Sequence, residues 1–318
     1  MTEALDRALA AFTADLDRQD AIFLRRWRAH VAKYGPGAPR AADLPNDKTS
    51  AILTNDNVAE VEMGSSKSGN RGHAGRPGKV GGSGPSKFIL HQATPEMQQK
   101  VEKAVKEEIA RIGDDPAEIE RVCLDNLEEV LRNSLAVRRS THAAEHILED
   151  GRFKTQFETG SSGGFYDPMV RTDAEEEGLG IPRDIPVAER PVYGFVAIPG
   201  ESTATSYGDI EFRLKDSVKD RSTITAGDSL GVFGDSAIGT PVRKPGIGCL
   251  DRNVAAIRLR RWDWLGYIEA QIQGGLRTSD IDHVIVHDYG GFGRKRGDFT
   301  GLEERLKAAK IGFEYDSN

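Results

Sequence analysis

The chain has few cysteines and lacks a long apolar run. Only Cys123 and Cys249 occur among its 318 residues, which is too few for a disulfide framework or a four-thiolate metal site and favours a reducing compartment. No stretch approaches the roughly 18 apolar residues that a membrane span requires. The N-terminal segment carries acids within its apolar stretch and lacks the basic-then-apolar order of a secretory signal. We therefore expect no membrane association.

The chain also has no excess of positive charge. Its 43 Lys and Arg residues against 50 Asp and Glu residues give a formal net charge of -7. Attraction of the whole surface to nucleic acid is therefore not expected, although a local basic patch could still contact it. The 38% hydrophobic content is enough for at least one good core, and the length predicts one or two domains with connecting segments.

The front of the chain divides into a helical segment and a glycine-rich segment. Apolar residues recur at roughly helical spacing through residues 1–33, which predicts an amphipathic helix or a helix pair. Residues 34–90 are rich in glycine, proline and serine, and their 64–87 portion is basic without one acid. This composition predicts a linker or a surface arm, with weak nucleic-acid contact as one use. A phosphate-binding loop is less favoured, because the flanking strand, helix and Gly-Lys-Ser/Thr ending are missing.

The rest of the chain predicts an α+β fold with a helical front half. Within 91–150, Thr94-Pro95 and Asp115-Pro116 each place a capping side chain before a first-turn proline. Residues 151–318 then show short β-type runs separated by turn residues, followed by a last helix and strand. We expect a compact mixed α+β domain in this second part.

The letters GDSL at 227–230, with Asp280 and His283 further on, match the signature of a family of serine esterases. In the fold of those esterases, several strand-helix crossovers lie between the serine and the Asp-x-x-His motif. Each βαβ unit takes about thirty residues, and only about fifty separate Ser229 from Asp280. A serine hydrolase is therefore a lesser alternative, and the motif is better interpreted as a turn.

A second motif matches the H-x-x-E-H order of one class of zinc peptidases, in His142, Glu145 and His146. Histidines four apart on a helix lie on one face and can share a metal. A peptidase needs a third ligand on a nearby helix, and the helical sequence downstream is short. We expect two histidines on a polar helix face and no metal site.

Three polar elements of the second half indicate a different chemistry. They are a strand-starting arginine, a hydroxyl-bearing run and a strand with one glutamate: Arg152; Ser222, Thr223 and Thr225; and Glu269 with Gln271 and Gln273. Strand alternation places the last three side chains on one face. This order of elements resembles the ADP-ribosyltransferase family. The segments RPVYG, YGDIEFRLKDSVKDRSTITAGDSL and YIEAQIQG resemble a group of bacterial and phage domains of that fold, over roughly residues 135–318.

The resemblance implies NAD as substrate and transfer of ADP-ribose to a macromolecule, such as a host protein. Cleavage of the nicotinamide bond develops oxocarbenium-like charge on the ribose, which a carboxylate stabilises; Glu269 would supply it. An arginine can clamp the dinucleotide phosphates, and Arg152 matches that position. The hydroxyl-bearing run, Ser222, Thr223 and Thr225, would contact the cofactor. The hydroxyl of Ser222 or Thr225 would also hold Glu269 in place. The ring of Tyr193 or Phe195 would stack on nicotinamide.

The sequence around Glu269 can be aligned with the family in two ways. Members with the arginine, Ser-Thr-Ser and glutamate elements carry Gln/Glu-x-Glu, with the second acid catalytic. Aligned literally, Glu269-Ala270-Gln271 places Gln271 at the catalytic position, and the domain would be inactive. Aligned on Tyr267-x-Glu269, Glu269 is the catalytic acid, and we prefer this alignment because the turn at Gly274 then falls where the family places it.

The stretch GNRGHAGRPGKVGGS at 69–83 resembles a short glycine-rich basic signature of tailed-phage head and head-associated proteins. It implies a phage or prophage protein in the bacterial host cytoplasm or the virion, with capsid components as further partners. The alternative to an enzyme is a noncatalytic head-associated or assembly protein that keeps the fold as a binding module.

Overall fold

The computed structural model describes residues 90–112, 115–161, 167–199, 207–233, 236–287 and 299–316. The predicted N-terminal helix of 1–33 and the basic arm of 34–90, apart from residue 90, lie outside the described residues. No helix of the described part is long and apolar enough to cross a membrane.

The first helices begin where the capping signals predict. Helix α1 spans Pro95–Arg111 and α2 spans Pro116–Val130. The Thr94 side chain accepts a hydrogen bond from the Met97 amide, and the Asp115 side chain accepts one from the Ala117 amide. These contacts satisfy amide groups that a helix start leaves without an intrahelical partner.

The remaining helices are α3 (Thr141–Asp150), α4 (Gln156–Thr159), α5 (Pro168–Leu179), α6 (Ser229–Val232), α7 (Val254–Arg258) and α8 (Thr300–Ala308). The strands are β1 (Leu135–Arg139), β2 (Arg152–Phe153), β3 (Val192–Val196), β4 (Ile210–Leu214), β5 (Ser222–Ala226), β6 (Thr240–Pro241), β7 (Ile268–Ile272), β8 (Leu276–Arg277), β9 (Ile281–His287) and β10 (Gly312–Asp316).

Eight of these strands form one mixed sheet in the order β10-β9-β4-β1-β3-β7-β5-β6, and β2 pairs with β8 in a separate sheet. Only the β9–β10 ladder is parallel among the strand pairs of the described residues. This α+β arrangement confirms the predicted fold class. It differs from the doubly wound parallel sheet that the serine esterase alternative requires.

The two faces of the large sheet differ in chemistry. One face is apolar and packs against α1, α2, α3, α7 and α8 in a single core. Its strand residues include Val137, Phe212, Ile224, Ala270 and Val284, each fully buried. Each fully buried large aliphatic or aromatic side chain contributes roughly 1.5–3 kcal/mol. The helices thus stabilise the sheet from one side and leave polar and aromatic side chains on the other.

Helix α5 packs closely on the segment that follows α6. Gly178, near the end of α5, faces the fully buried ring of Phe233. A Cβ at this position would overlap ring atoms of Phe233. Glycine therefore allows the close approach of α5 and α6. These two helices carry polar residues towards the polar face of the sheet.

We expect Gly178→Ala to lower the free energy of unfolding by about 1–3 kcal/mol, because overpacking a filled core costs this much and outweighs the higher helix propensity of alanine. Urea denaturation measures the change. Gly312→Ala is the control, since no atom beyond its two chain neighbours lies within 4 Å of the position of a Cβ there among the described residues. Equal stability of the two variants would show that the α5 contact tolerates added volume.

Candidate functional site

Six predicted site residues share one face of the sheet. In the register of β5, β7 and β3, Thr225 pairs with Glu269 and Glu269 with Phe195. Two residues along, Thr223 pairs with Gln271 and Gln271 with Tyr193. Directly paired residues on neighbouring strands project to the same side. Glu269 and Gln271 therefore lie on one face, as the alternation along β7 predicts, and side chains of β5 and β3 share that face.

Gln271 links the hydroxyl-bearing strand to Glu269. Its Nε2 donates to Glu269 Oε1 at 3.0 Å and to Thr225 Oγ1 at 3.2 Å. Its own Oε1 accepts from Thr223 Oγ1 at 2.8 Å. All four side chains are buried. Gln271 thus acts through hydrogen bonds that hold the Glu269 carboxyl in one orientation.

The serine of the GDSL letters also contacts Glu269. Ser229 opens α6 and is fully buried, and its hydroxyl donates to Glu269 Oε1. His283, the histidine of the esterase alternative, lies on β9 and pairs with Asp282 at 2.9 Å. Because the Ser229 hydroxyl is hydrogen-bonded to the Glu269 carboxyl of β7, the geometry gives the esterase alternative no support.

Arg171 of α5 is the guanidinium next to this group. Its Nη1 donates to Ser229 Oγ at 3.3 Å, and its guanidinium carbon lies 4.3 Å from the centre of the Tyr193 ring. Arg171 is 5% exposed, and within the described part of the chain its Nε has no hydrogen-bond partner. A buried guanidinium that has an N–H group without a hydrogen-bond partner is suited to binding an anion.

A buried ion pair between Arg190 and Glu175 lies next to Tyr193. Tyr193 donates its hydroxyl to Glu175 Oε1 at 2.7 Å, and Arg190 Nη1 donates to Glu175 Oε2 at 2.6 Å. Glu175 is fully buried and lies one helical turn from Arg171. The pair fixes α5 and the Tyr193 ring against the sheet, which in turn fixes Arg171.

Burial raises the pKa of Glu269 to about 7, and the negative charge of Asp228 adds to the shift. Arg171 and the hydrogen bonds from Ser229 and Gln271 act in the opposite direction without cancelling it. At neutral pH the carboxyl is therefore divided between its protonated and ionised forms. A carboxyl poised in this way within a polar cluster is typical of functional sites.

Another buried glutamate on the same face behaves differently. Burial also disfavours the ionised form of Glu211, but hydrogen bonding to His287 and the charges of Arg213 and Arg138 outweigh it and lower the pKa of Glu211 to about 2. Glu211 is thus a permanently ionised member of an ion-pair cluster. Since its charge is matched by its neighbours, this cluster is best explained as structural.

Aromatic side chains lie beside Glu269. Phe195 and the partly buried Tyr267 pack together with Ala136 and Ala197. Tyr267 is hydrogen-bonded to Tyr207, which is 37% exposed. Tyr207 is therefore the exposed member of an aromatic pair next to the carboxyl.

Two predicted residues lie elsewhere. Arg152 begins β2 and makes hydrogen bonds of 2.9 and 2.7 Å to Glu158, and β2 belongs to the separate two-stranded sheet. Ser222 pairs with Ile272 and its hydroxyl donates to the Val218 carbonyl at 2.8 Å, so it projects to the face opposite Glu269. Their roles at a cofactor stay predictions that this arrangement does not favour.

Sequence reasoning missed Arg171, Glu175 and the contact of Ser229 with Glu269. The Asp167-Pro168 pair is a helix start signal that could have located α5, since the Asp167 side chain caps its first turn. The sequence carries no local sign that Arg171 faces the sheet.

No protein-family profile matches the chain. The "Gene 2 protein" of Mycobacterium phage L5 is 33% identical over 180 residues, which cover 51% of this chain and 67% of that relative. The "Gene 2 protein" of Mycobacterium phage D29 is 30% identical over 181 residues, with the same two coverages. The chain belongs to this Gene 2 protein family. Membership confirms the predicted phage origin.

We expect Glu269→Gln to stabilise the protein at pH 8 and to have less effect at pH 5. The folded pKa of Glu269 lies near 7, above the ordinary value of 4.5, so the stability that the protonated carboxyl contributes is present at low pH and is lost as the pH rises through 7. Glutamine has no charge to bury. The gain in unfolding free energy should be larger at pH 8 by about 1–3 kcal/mol, measured by chemical denaturation.

The matched control is Glu314→Gln, at an exposed glutamate of strand β10. Its effect on stability should be small and equal at the two pH values. A pH-independent effect of Glu269→Gln would show that the Glu269 carboxyl is not poised near neutrality.

Proposed function

We propose that this phage protein is an NAD-dependent ADP-ribosyltransferase in which Glu269 is the catalytic carboxylate and a host protein is the acceptor. The observation that carries the proposal is the position of Glu269. It lies on the polar sheet face with a pKa of about 7, held by Ser229 and Gln271 and next to Arg171. A noncatalytic strand glutamate at the surface would have none of these partners.

Glu269 would stabilise the positive charge that develops on the ribose as the bond to nicotinamide breaks. Ser229 and Gln271 both donate to Oε1, which leaves Oε2 to face the sugar. A fixed carboxyl close to the reacting carbon needs little reorganisation during the reaction. Gln271 is therefore a positioning residue in this proposal, and Glu269 is the residue that contacts substrate.

Arg171 takes the phosphate-binding role that the sequence suggested for Arg152. Its guanidinium is next to Ser229, whereas Arg152 is paired with Glu158. Arg171 already covers the Tyr193 ring, so Tyr207 and Tyr267 are the better candidates to stack on nicotinamide. Stacking on such rings contributes about 0.5–1.5 kcal/mol beyond burial.

The alternative is a noncatalytic head-associated or assembly protein. The observation that favours it is the enclosure of Glu269, which is 5% exposed beneath Ser229 and Arg171. In the enzyme, NAD binding must displace Ser229 or open the space beside it. In a binding module, the same contacts would simply close the sheet face.

Incubation of the full chain with labelled NAD and a host lysate separates the two functions. We expect nicotinamide release and labelled protein from the wild type and from the Glu314→Gln control, and a loss of about 100-fold or more in Glu269→Gln, which is the usual effect of removing one preorganised stabilising group. No turnover by the wild type, together with no NAD binding by calorimetry, would leave the assembly protein as the function.

The rate should also report the ionisation of Glu269. Since the ionised form is the active one, kcat/KM for nicotinamide release should rise with pH through about 7. Asp228→Asn should move the midpoint to lower pH, because the charge of Asp228 raises the pKa of Glu269, while asparagine can still cap α6. A rate that falls over this range would exclude the carboxylate role.

A further inference from the structure

Two histidines on α3 bring one ring nitrogen each into close contact. The Nε2 atoms of His142 and His146 lie 3.2 Å apart, and the rings meet nearly edge to face at 81°. Both side chains are exposed. They lie four residues apart, so both project from one face of the helix. This pair is outside the Glu269 site and has no part in the proposed transfer reaction.

From this geometry we infer that His142 and His146 bind one divalent transition-metal ion through their Nε2 atoms. A tetrahedral zinc ion with Zn–N bonds of about 2.0–2.1 Å places two nitrogen ligands roughly 3.3–3.4 Å apart. The observed separation of 3.2 Å is close to this value. The two Nε2 atoms therefore already have the separation that one zinc ion requires. Because the ring centroids are only 4.4 Å apart, the rings must turn for both lone pairs to face the ion.

The second ring nitrogen of His146 has the partner that a metal ligand requires. His146 Nδ1 lies 3.1 Å from Glu149 Oε2. A proton on Nδ1, shared with this carboxylate, places the lone pair of His146 on Nε2, which is the usual arrangement around protein-bound zinc. Zinc would replace the present contact of this atom with His142 Nε2. Glu149 is itself held by Arg305 of α8, with Nη1 at 2.7 Å from Oε1. The outer contacts thus fix the ring of His146.

The site differs from the zinc peptidase suggested by the motif. The Glu145 carboxylate lies against the start of α8, where its Oε1 is 3.1 Å from the position of a Cβ on Gly301. It is therefore directed at the neighbouring helix. Clusters of three or more metal-binding side chains do not occur among the described residues, so water would complete the coordination. A site with two imidazole ligands suits zinc, nickel or copper and does not suit magnesium or calcium.

Calorimetric titration of the untagged full chain with Zn²⁺ tests the inference. We expect one bound zinc to be lost in His142→Ala and in His146→Ala, with affinity at this site reduced at least tenfold. Glu149→Gln should weaken it about tenfold, as removal of an outer carboxylate usually does. Zn²⁺ should raise the Tm of the wild type and not that of His146→Ala, because a ligand that binds only the folded state stabilises it. Mg²⁺ should not bind at this site.

His283→Ala is the control, since His283 is half-buried on β9, outside the proposed pair, and also has its Nδ1 beside a carboxylate, that of Asp282. It should bind zinc as the wild type does. The substituted positions are exposed on α3, so circular dichroism in EDTA should show unchanged folding. Unchanged zinc affinity in His142→Ala and His146→Ala, or the absence of zinc binding by the wild type, would overturn the inference.

Discussion

The enclosure of the Glu269 carboxyl is the constraint around which the polar face of the sheet is arranged. Taking an ionised carboxyl out of water costs several kcal/mol unless donors and a cation replace the solvent. Strand β7 supplies the carboxyl and Gln271, α6 supplies the Ser229 hydroxyl, and α5 supplies the Arg171 charge. These groups do not fully offset burial, which is why the pKa of Glu269 stays near 7.

The comparison of two buried glutamates shows how the same face serves two purposes. Glu211 is surrounded by His287, Arg213 and Arg138, and its pKa falls to about 2. Glu269 lies deeper in the protein, with one neighbouring arginine and the like charge of Asp228, and its pKa rises. A carboxylate whose charge is fully matched by neighbouring cations, like Glu211, holds strands together at any ordinary pH. An incompletely matched carboxyl keeps a reactive balance between its two forms, which is the property that acid–base and oxocarbenium chemistry use.

The elements over the site are short and depend on close packing. Helix α6 has four residues, too few to be stable alone. Gly178 lets α5 approach the ring of Phe233 directly after α6, and the Glu175 pair with Arg190 holds α5 from the other side. Ser229 and Arg171 owe their positions to these contacts. Any opening of the site for a large substrate would have to begin with a movement of α5 or α6.

The sequence by itself determined the local features of this protein. Capping residues located the starts of α1 and α2, because a cap acts on amides two or three residues away. Alternation placed Glu269 and Gln271 on one face, because a strand repeats every two residues. Only the tertiary structure decided which arginine meets the glutamate. Ser229 is 40 residues from Glu269, and Arg171 is 58 residues from Ser229. Such contacts depend on how helices and strands pack over the sheet, and the packing of distant elements leaves no short-range pattern in the chain.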